Sequence, residues 1–245
     1  MDTLFWKQLH PDIKVQHSKQ MLYGKYPCRL VIRCNGSSML RYPETPFADQ
    51  MEWNQRVVNY GGSWRRSMTT RPGAKDLQLL VNLKTYRADL AEQDSAQIKI
   101  RIEDPLVQIY ATDTALLEEF AQQVFAGIPD VADFLESITI PKDTHDLALL
   151  EQGYVLRSHS DFLFKINLRD GKYSQSTRSN LLQYLDALAP DVSIPKNTRD
   201  QLEKVRGDFI WGGYFYAMDE DIKLMIGMIN PKLIRSVDRF YSTAK

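Results

Sequence analysis

Cysteine is scarce in this 245-residue chain, histidine nearly so, and a long apolar run is missing altogether. A membrane-spanning helix needs about 18 or more consecutive apolar residues, and no such stretch occurs. The first residues, MDTLFWKQLHPDIKVQHSK, lack a basic start followed by an apolar core. That order argues against a secretory leader or an Arg- and Ser-rich transit peptide, and a soluble, cytoplasmic chain is expected. The two cysteines, Cys28 and Cys34, lie in YPCRLVIRCNG, which reads as a strand. Across a strand of this length the sulfurs stand roughly 20 Å apart, whereas a disulfide requires Cα atoms within about 7 Å. Free, buried thiols in a reducing compartment are the expectation.

Catalytic signatures are equally sparse. There is no GxSxG, no Walker loop and no GxGxxG. His10, His17, His145 and His159 show no metal-ligand spacing. The acids Asp219, Glu220 and Asp221 read as the acidic first turn of a helix, where negative charge meets the positive end of the macrodipole. Pro190-Asp191 followed by Glu203-Lys204 approaches a metal-dependent nuclease pattern, with the lysine one place early. No metal site or cofactor is read from the sequence, and nothing in it commits the chain to being an enzyme.

What is present is ordinary globular material, 43% hydrophobic and 25% charged. The length suits one large domain or two small ones. The formal net charge is zero but unevenly spread. Residues 1–86 carry 13 basic against 6 acidic side chains, residues 87–160 carry 5 against 14, and residues 161–245 carry 13 against 11. Two explanations stand: a charged surface for a partner, or segments that neutralise each other within the fold.

The stretch 53–75, WNQRVVNYGGSWRRSMTTRPGAK, is the densest candidate for a binding surface, with five basic residues and no acid. Arg56, Arg65, Arg66, Arg71 and Lys75 have the chemistry to neutralise phosphates, and Trp53, Tyr60 and Trp64 the flat rings to stack on bases. Basic grooves with interleaved aromatics hold single strands without reading their sequence. The competing explanation is local: tryptophan is usually buried, and arginine often packs on it within one fold. On the neighbouring strand, Arg29 and Arg33 share the face opposite the cysteines, near Tyr23, Tyr26 and Tyr42, chemistry that suits an RNA-binding sheet. The basic-Gly-aromatic signature of that module is absent. RGDFIWGGYFYAMDED (206–221) is the most aromatic stretch and reads as a core strand with a glycine bulge, with a stacking platform as the alternative.

Periodicity organises the rest. A basic, Gly- and Pro-rich region, 1–95, contains one strand at 28–34 and one helix near 48–59. The run from 77 fits a strand or a helix reaching about Glu92. Region 96–245 alternates strands and helices: a hairpin over 97–112, an Asp113-capped helix, a strand at 136–141, a helix over 145–153, a second hairpin formed by YVLRS and DFLFKINLRDGKY, a helix over 176–188, and a Thr198-x-x-Gln201 capping box. QIYATDTALLEEF (108–120) aligns with YFYAMDEDIKLMI (214–226): Tyr110 with Tyr216, Ala111 with Ala217, Asp113 with Asp219. The wider segments 98–140 and 205–241 then form an internal repeat. The fold class is α+β, antiparallel sheets with packed helices, built as two ferredoxin-like modules from a duplicated strand–helix–strand unit.

FLFKINLRDGKYSQSTRSNLLQYLDAL followed by WGGYFYAMDEDIKLMIGMINPKLIRSV resembles uncharacterised accessory proteins encoded by phages and other viruses. The resemblance covers the C-terminal hundred residues at most and brings no site residue with it. It implies a setting in viral replication, transcription or particle assembly. Three functions are therefore carried forward: a nucleic-acid-binding accessory protein for single-stranded DNA or RNA; a structural or assembly subunit with a protein partner or self-association; and a divergent metal-dependent nuclease.

Overall fold

The structure is a computed structural model, and it describes residues 3–42, 44–62, 69–92, 96–204 and 207–243. The chain divides into two compact units, 1–147 and 148–245. The boundary falls inside the region 96–245 that the sequence treats as one piece, and strand 28–33 of the basic N-terminal region pairs directly with 106–111.

The first unit begins with helix α1 (Leu4–Leu9) and strand β1 (Lys14–His17). Strand β2 (Cys28–Arg33), helix α2 (Phe47–Tyr60), helix α3 (Ala74–Glu92), hairpin β3 (Ile98–Glu103) and β4 (Leu106–Ala111), helix α4 (Thr114–Val124) and strand β5 (Leu135–Ile140) follow. The sheet order is β1-β5-β2-β4-β3. Setting β1 and α2 aside leaves β2-α3-β3-β4-α4-β5, with β2 between β5 and β4 and every adjacent pair antiparallel. That is the ferredoxin-like arrangement. Edge strand β1 is added parallel to β5.

Helix α5 (Thr144–Glu151) crosses the boundary, and strand β6 (Tyr154–Arg157) opens the second sheet. Strand β7 (Phe164–Leu168), short β8 (Gly171–Lys172), helix α6 (Gln175–Ala187), short β9 (Val192–Ser193), helix α7 (Lys196–Glu203), short β10 (Phe209–Ile210), strand β11 (Tyr214–Ala217), helix α8 (Ile222–Ile229) and strand β12 (Ile234–Ser242) complete the unit. The order β6-β12-β7-β11-β9 repeats the first sheet strand for strand. Both units place a short helix and a parallel edge strand before the β-α-β-β-α-β core. The aligned segments 108–120 and 214–226 both fall on the third core strand and the helix after it.

Local chemistry explains the individual elements. The run from 77 is helical because its start is anchored. The buried Asp76 carboxylate accepts the N–H of Gly73 (2.8 Å), a donor that the helix start leaves open, and that of Asn35 (3.0 Å), which ties the start to the chain after β2. Asp113 accepts the N–H of Ala115 at 3.0 Å, and Asp219 accepts that of Asp221 at 2.9 Å, the same contact in both repeats. Leu117, Phe120, Ala121 and Val124 form the buried stripe of α4 and meet Leu30, Ile32, Ile109 and Ile138 from the sheet. The second core is separate, built around Ile166, Leu181, Leu185, Phe215 and Ile226.

Two expectations need correction. β6 and β7 do not form a hairpin, because β12 lies between them and pairs with both. Thr198 and Gln201 are not a capping box: α7 starts at Lys196 after Pro195, and the side chains are drawn to Tyr214 at the start of β11 and to Trp211 before it.

Candidate nucleic-acid interface

Each sheet buries one face against its two core helices, so the other face displays the alternate residues of every strand. In the first unit Cys28, Leu30 and Ile32 point into the core, and Arg29, Val31 and Arg33 lie on the opposite side. Register then defines rows across that side. One runs Lys99, Tyr110, Arg29, Thr139, Gln16, and the next runs Arg101, Gln108, Val31, Ser137, Lys14. Arg29 donates to Gln108 Oε1 (3.5 Å) and to Thr139 Oγ1 (3.4 Å), while its Nε is buried without a partner. The Tyr110 hydroxyl donates to Gln108 Oε1 at 2.7 Å.

Tyr23 reaches over this row from the segment before β2. Its ring meets Tyr110 edge-on at 4.9 Å, its hydroxyl accepts from Arg101 Nη1 at 2.8 Å, and Lys99 Nζ stands 4.0 Å from its ring centre. The Arg101 hydrogen bond lowers the Tyr23 phenol pKa, whereas burial raises that of Tyr110. Tyr110 keeps 4% of its surface and Tyr23 49%, so Tyr23 is the ring this face offers to solvent.

The second unit repeats the pattern with different side chains. Tyr216 pairs with Lys165 and Ser193, and Tyr214 pairs with Asn167. Lys165 Nζ lies 4.2 Å from the Tyr214 ring centre. The Arg157 guanidinium stands 4.0 Å from the Phe240 ring centre and 5.6 Å from that of Tyr216, and Phe162 stacks on Tyr216 at 5.9 Å. Asn167 donates to Ser236 Oγ (3.2 Å) and Asp238 Oδ2 (3.0 Å). The correspondence between units is specific. In each, a tyrosine on the third core strand sits directly beside a cation on the first, Tyr110 beside Arg29 and Tyr216 beside Lys165.

The residues singled out from the sequence fall in three groups and a fourth set outside the described residues. Arg29 and Arg33 are on the first sheet's helix-free face, with Arg33 paired to Glu136. Trp53, Arg56 and Tyr60 are on α2: Trp53 meets Tyr42 edge-on at 6.4 Å, Arg56 pairs with Glu52, and Tyr60 is 86% exposed. Arg71 donates to Asn59 at 2.9 Å, and Lys75 pairs with Asp133 at 2.7 Å, which raises the lysine pKa. Trp64, Arg65 and Arg66 lie outside the described residues. Arg33–Glu136 and Lys75–Asp133 join the basic first third to the acidic middle, so part of the charge asymmetry is neutralised inside the first unit.

Sequence reasoning did not single out Lys99, Arg101, Tyr110, Arg157, Lys165 or Tyr216 as site residues. Tyr110 and Tyr216 were signalled by the repeat, which aligns them; the cations beside them become visible only through strand register. Among the described residues no group of His, Cys, Asp and Glu is arranged to hold a metal ion. No family model matches the chain, and neither the curated proteins nor the solved structures contain a significant match to it.

Proposed function

We propose that this protein binds single-stranded nucleic acid on the helix-free faces of its two ferredoxin-like sheets, as an accessory protein rather than a catalyst. The observation that carries this reading is an accessible tyrosine among cations on both faces: Tyr23 beside Lys99 and Arg101 in the first unit, and part-exposed Tyr214 and Tyr216 beside Lys165 in the second. Four-stranded sheets of this topology recognise RNA by stacking splayed bases on aromatics of the central strands, and Arg and Lys beside the rings supply phosphate neutralisation. On the first face Lys14, Arg29, Arg33, Lys99 and Arg101 stand against Glu103 and Glu136, an excess of cations. Lys165 covers Tyr214 with a long, flexible chain, which a base displaces while the charge stays within reach of its phosphate. The viral resemblance of the C-terminal segment fits an accessory factor of replication or transcription.

Photocrosslinking tests the location. Single-stranded oligonucleotides carrying 5-bromouracil or 4-thiouracil are irradiated with the protein, and the modified peptides are mapped. Adducts are expected on peptides containing Tyr23, Tyr214 or Tyr216. Adducts confined to 53–75 would move the site to that stretch.

One observation favours a second reading, a self-associating assembly subunit. Leu224, Met225 and Met228 on α8 are exposed, whereas its counterpart α4 shows Glu119, Gln122 and Gln123 to solvent. Exposed apolar patches mark contact surfaces. Sedimentation of Leu224→Glu/Met228→Glu beside wild type decides this: a shift from oligomer to monomer supports it, and a monomeric wild type at micromolar concentration removes it.

A further inference from the structure

We infer that Phe209 and Trp211 form a stacking site for an unpaired nucleobase, at the end of the second unit's helix-free face; this rests on the nucleic-acid reading above. Trp211 is 71% exposed, an unusual state for the largest side chain, and Phe209 beside it is also exposed. Their rings lie 5.9 Å apart and tilted by 31°, presenting one broad aromatic surface.

The backbone under that surface is fixed by buried or anchored polar groups. Gln201 Oε1 accepts the Trp211 N–H at 2.6 Å, and Gln201 Nε2 donates to the Trp211 carbonyl at 3.2 Å. Asp170 Oδ1 accepts the Gly212 N–H at 2.6 Å, and Thr198 Oγ1 accepts that of Tyr214 at 3.1 Å. Gly212 has φ of +60°, where a side chain would be strained, and a Cβ on Gly213 would stand 2.8 Å from Ile210 Cγ2. Helix α7 therefore directs two of its side chains, Thr198 and Gln201, to holding the chain that carries a solvent-facing ring. A ring on a backbone ordered in advance loses little freedom on taking a ligand.

Two features favour a base over a protein partner. Three residues of chain separate Trp211 from Tyr214, so the platform lies within about 10 Å of the proposed binding face. Cations also stand near it: Lys172 of β8 is the register partner of Phe209, and Arg235 of β12 approaches the clamping Asp170 at 3.9 Å. The acids there are engaged, Asp208 with Lys172 at 3.5 Å and Asp170 with Gly212 and Arg235.

The test uses the 245-residue protein labelled with 5-fluorotryptophan, with the Trp211 resonance assigned by its loss in Trp211→Phe. Adding a dT oligonucleotide is expected to shift that resonance. Trp211→Ala should weaken oligonucleotide affinity roughly 5- to 150-fold, the range for one lost base stack, with Trp211→Phe keeping most of it. If wild type binds and Lys165→Ala weakens it while Trp211→Ala and the resonance are unaffected, the platform takes no base and only this inference falls. If wild type binds no single strand at low salt, the underlying reading fails and the inference with it. If Trp211→Ala abolishes self-association without changing oligonucleotide affinity, the ring is a protein contact and the inference is overturned.

Discussion

The thiols of Cys28 and Cys34 sit on the core face of β2, and burial pushes the Cys28 thiol up to about 12 and Cys34 higher still. Both are neutral and shielded at neutral pH, so neither is a nucleophile or a metal ligand there. Titration with a thiol reagent at pH 8 should find no reactive cysteine in native protein and two after denaturation; a fast-reacting native thiol would contradict their placement. Folded-state pKa values above the unfolded ones mean that folding holds the protons more tightly. Stability from this source is complete below about pH 8.5 and declines as pH rises above it, by up to about 1.4 kcal/mol per pH unit for each thiol. Alkaline denaturation curves should therefore lose that slope in Cys28→Ala/Cys34→Ala. Gly36 is constrained twice over: φ is +78°, and a Cβ would stand 2.9 Å from Pro72 Cδ. Gly36→Ala should cost about 1–3 kcal/mol in a urea titration. At this scale the cysteines were legible from alternation alone. The need for Gly36 was not, since Pro72 approaches it only through the Asp104–Thr70–Gly36 hydrogen bonds that close a loop distant in sequence.

Elements were legible where the signal is local. Asp113 and the stripe Leu117, Phe120, Ala121, Val124 specify α4 unaided. They were misread where partners are distant. YVLRS and DFLFKINLRDGKY look like a hairpin because they are adjacent in sequence, but β12, nearly eighty residues on, separates them. Helix α7 is short and polar, and its C-terminal carbonyls need a donor. Arg178 supplies it from α6: Nη1 donates to the carbonyls of Gln201 (3.0 Å) and Lys204 (2.7 Å), and the side chain is almost wholly buried. Cations at a helix C-terminus also favour its dipole. Arg178→Met keeps much of the stem and removes the donors. It should cost about 2–4 kcal/mol, because the carbonyls are left buried and unpaired; a urea midpoint within about 0.5 kcal/mol of wild type would show that water replaces the guanidinium.

For the whole molecule, two separate cores and a repeated topology imply two folding units. A fragment spanning 143–245 retains Asp143, whose carboxylate caps α5 at the Asp146 N–H. It should unfold cooperatively by circular dichroism with a far-ultraviolet spectrum rich in both helix and strand; a disordered fragment would make the second core dependent on the first. The repeat was legible in three aligned identities, and with it the fold class. The basic stretch 53–75 drew attention because charge without acid is conspicuous in one dimension. The tyrosine–cation pairs did not, because Arg29 and Tyr110 are 81 residues apart and meet only across a strand boundary. The central claim is that the two helix-free faces bind a single strand electrostatically, through the cations around Tyr23, Tyr214 and Tyr216, and by stacking on those rings. Its most direct measurement is fluorescence anisotropy of labelled single-stranded DNA and RNA over a salt series, with wild type beside Lys99→Ala/Arg101→Ala/Arg157→Ala/Lys165→Ala. The account predicts tight binding at low salt that falls steeply as salt rises, and a variant with weaker binding and a slope shallower by about 0.7 for each phosphate contact removed. Equal affinity and equal slope in the two proteins would contradict it.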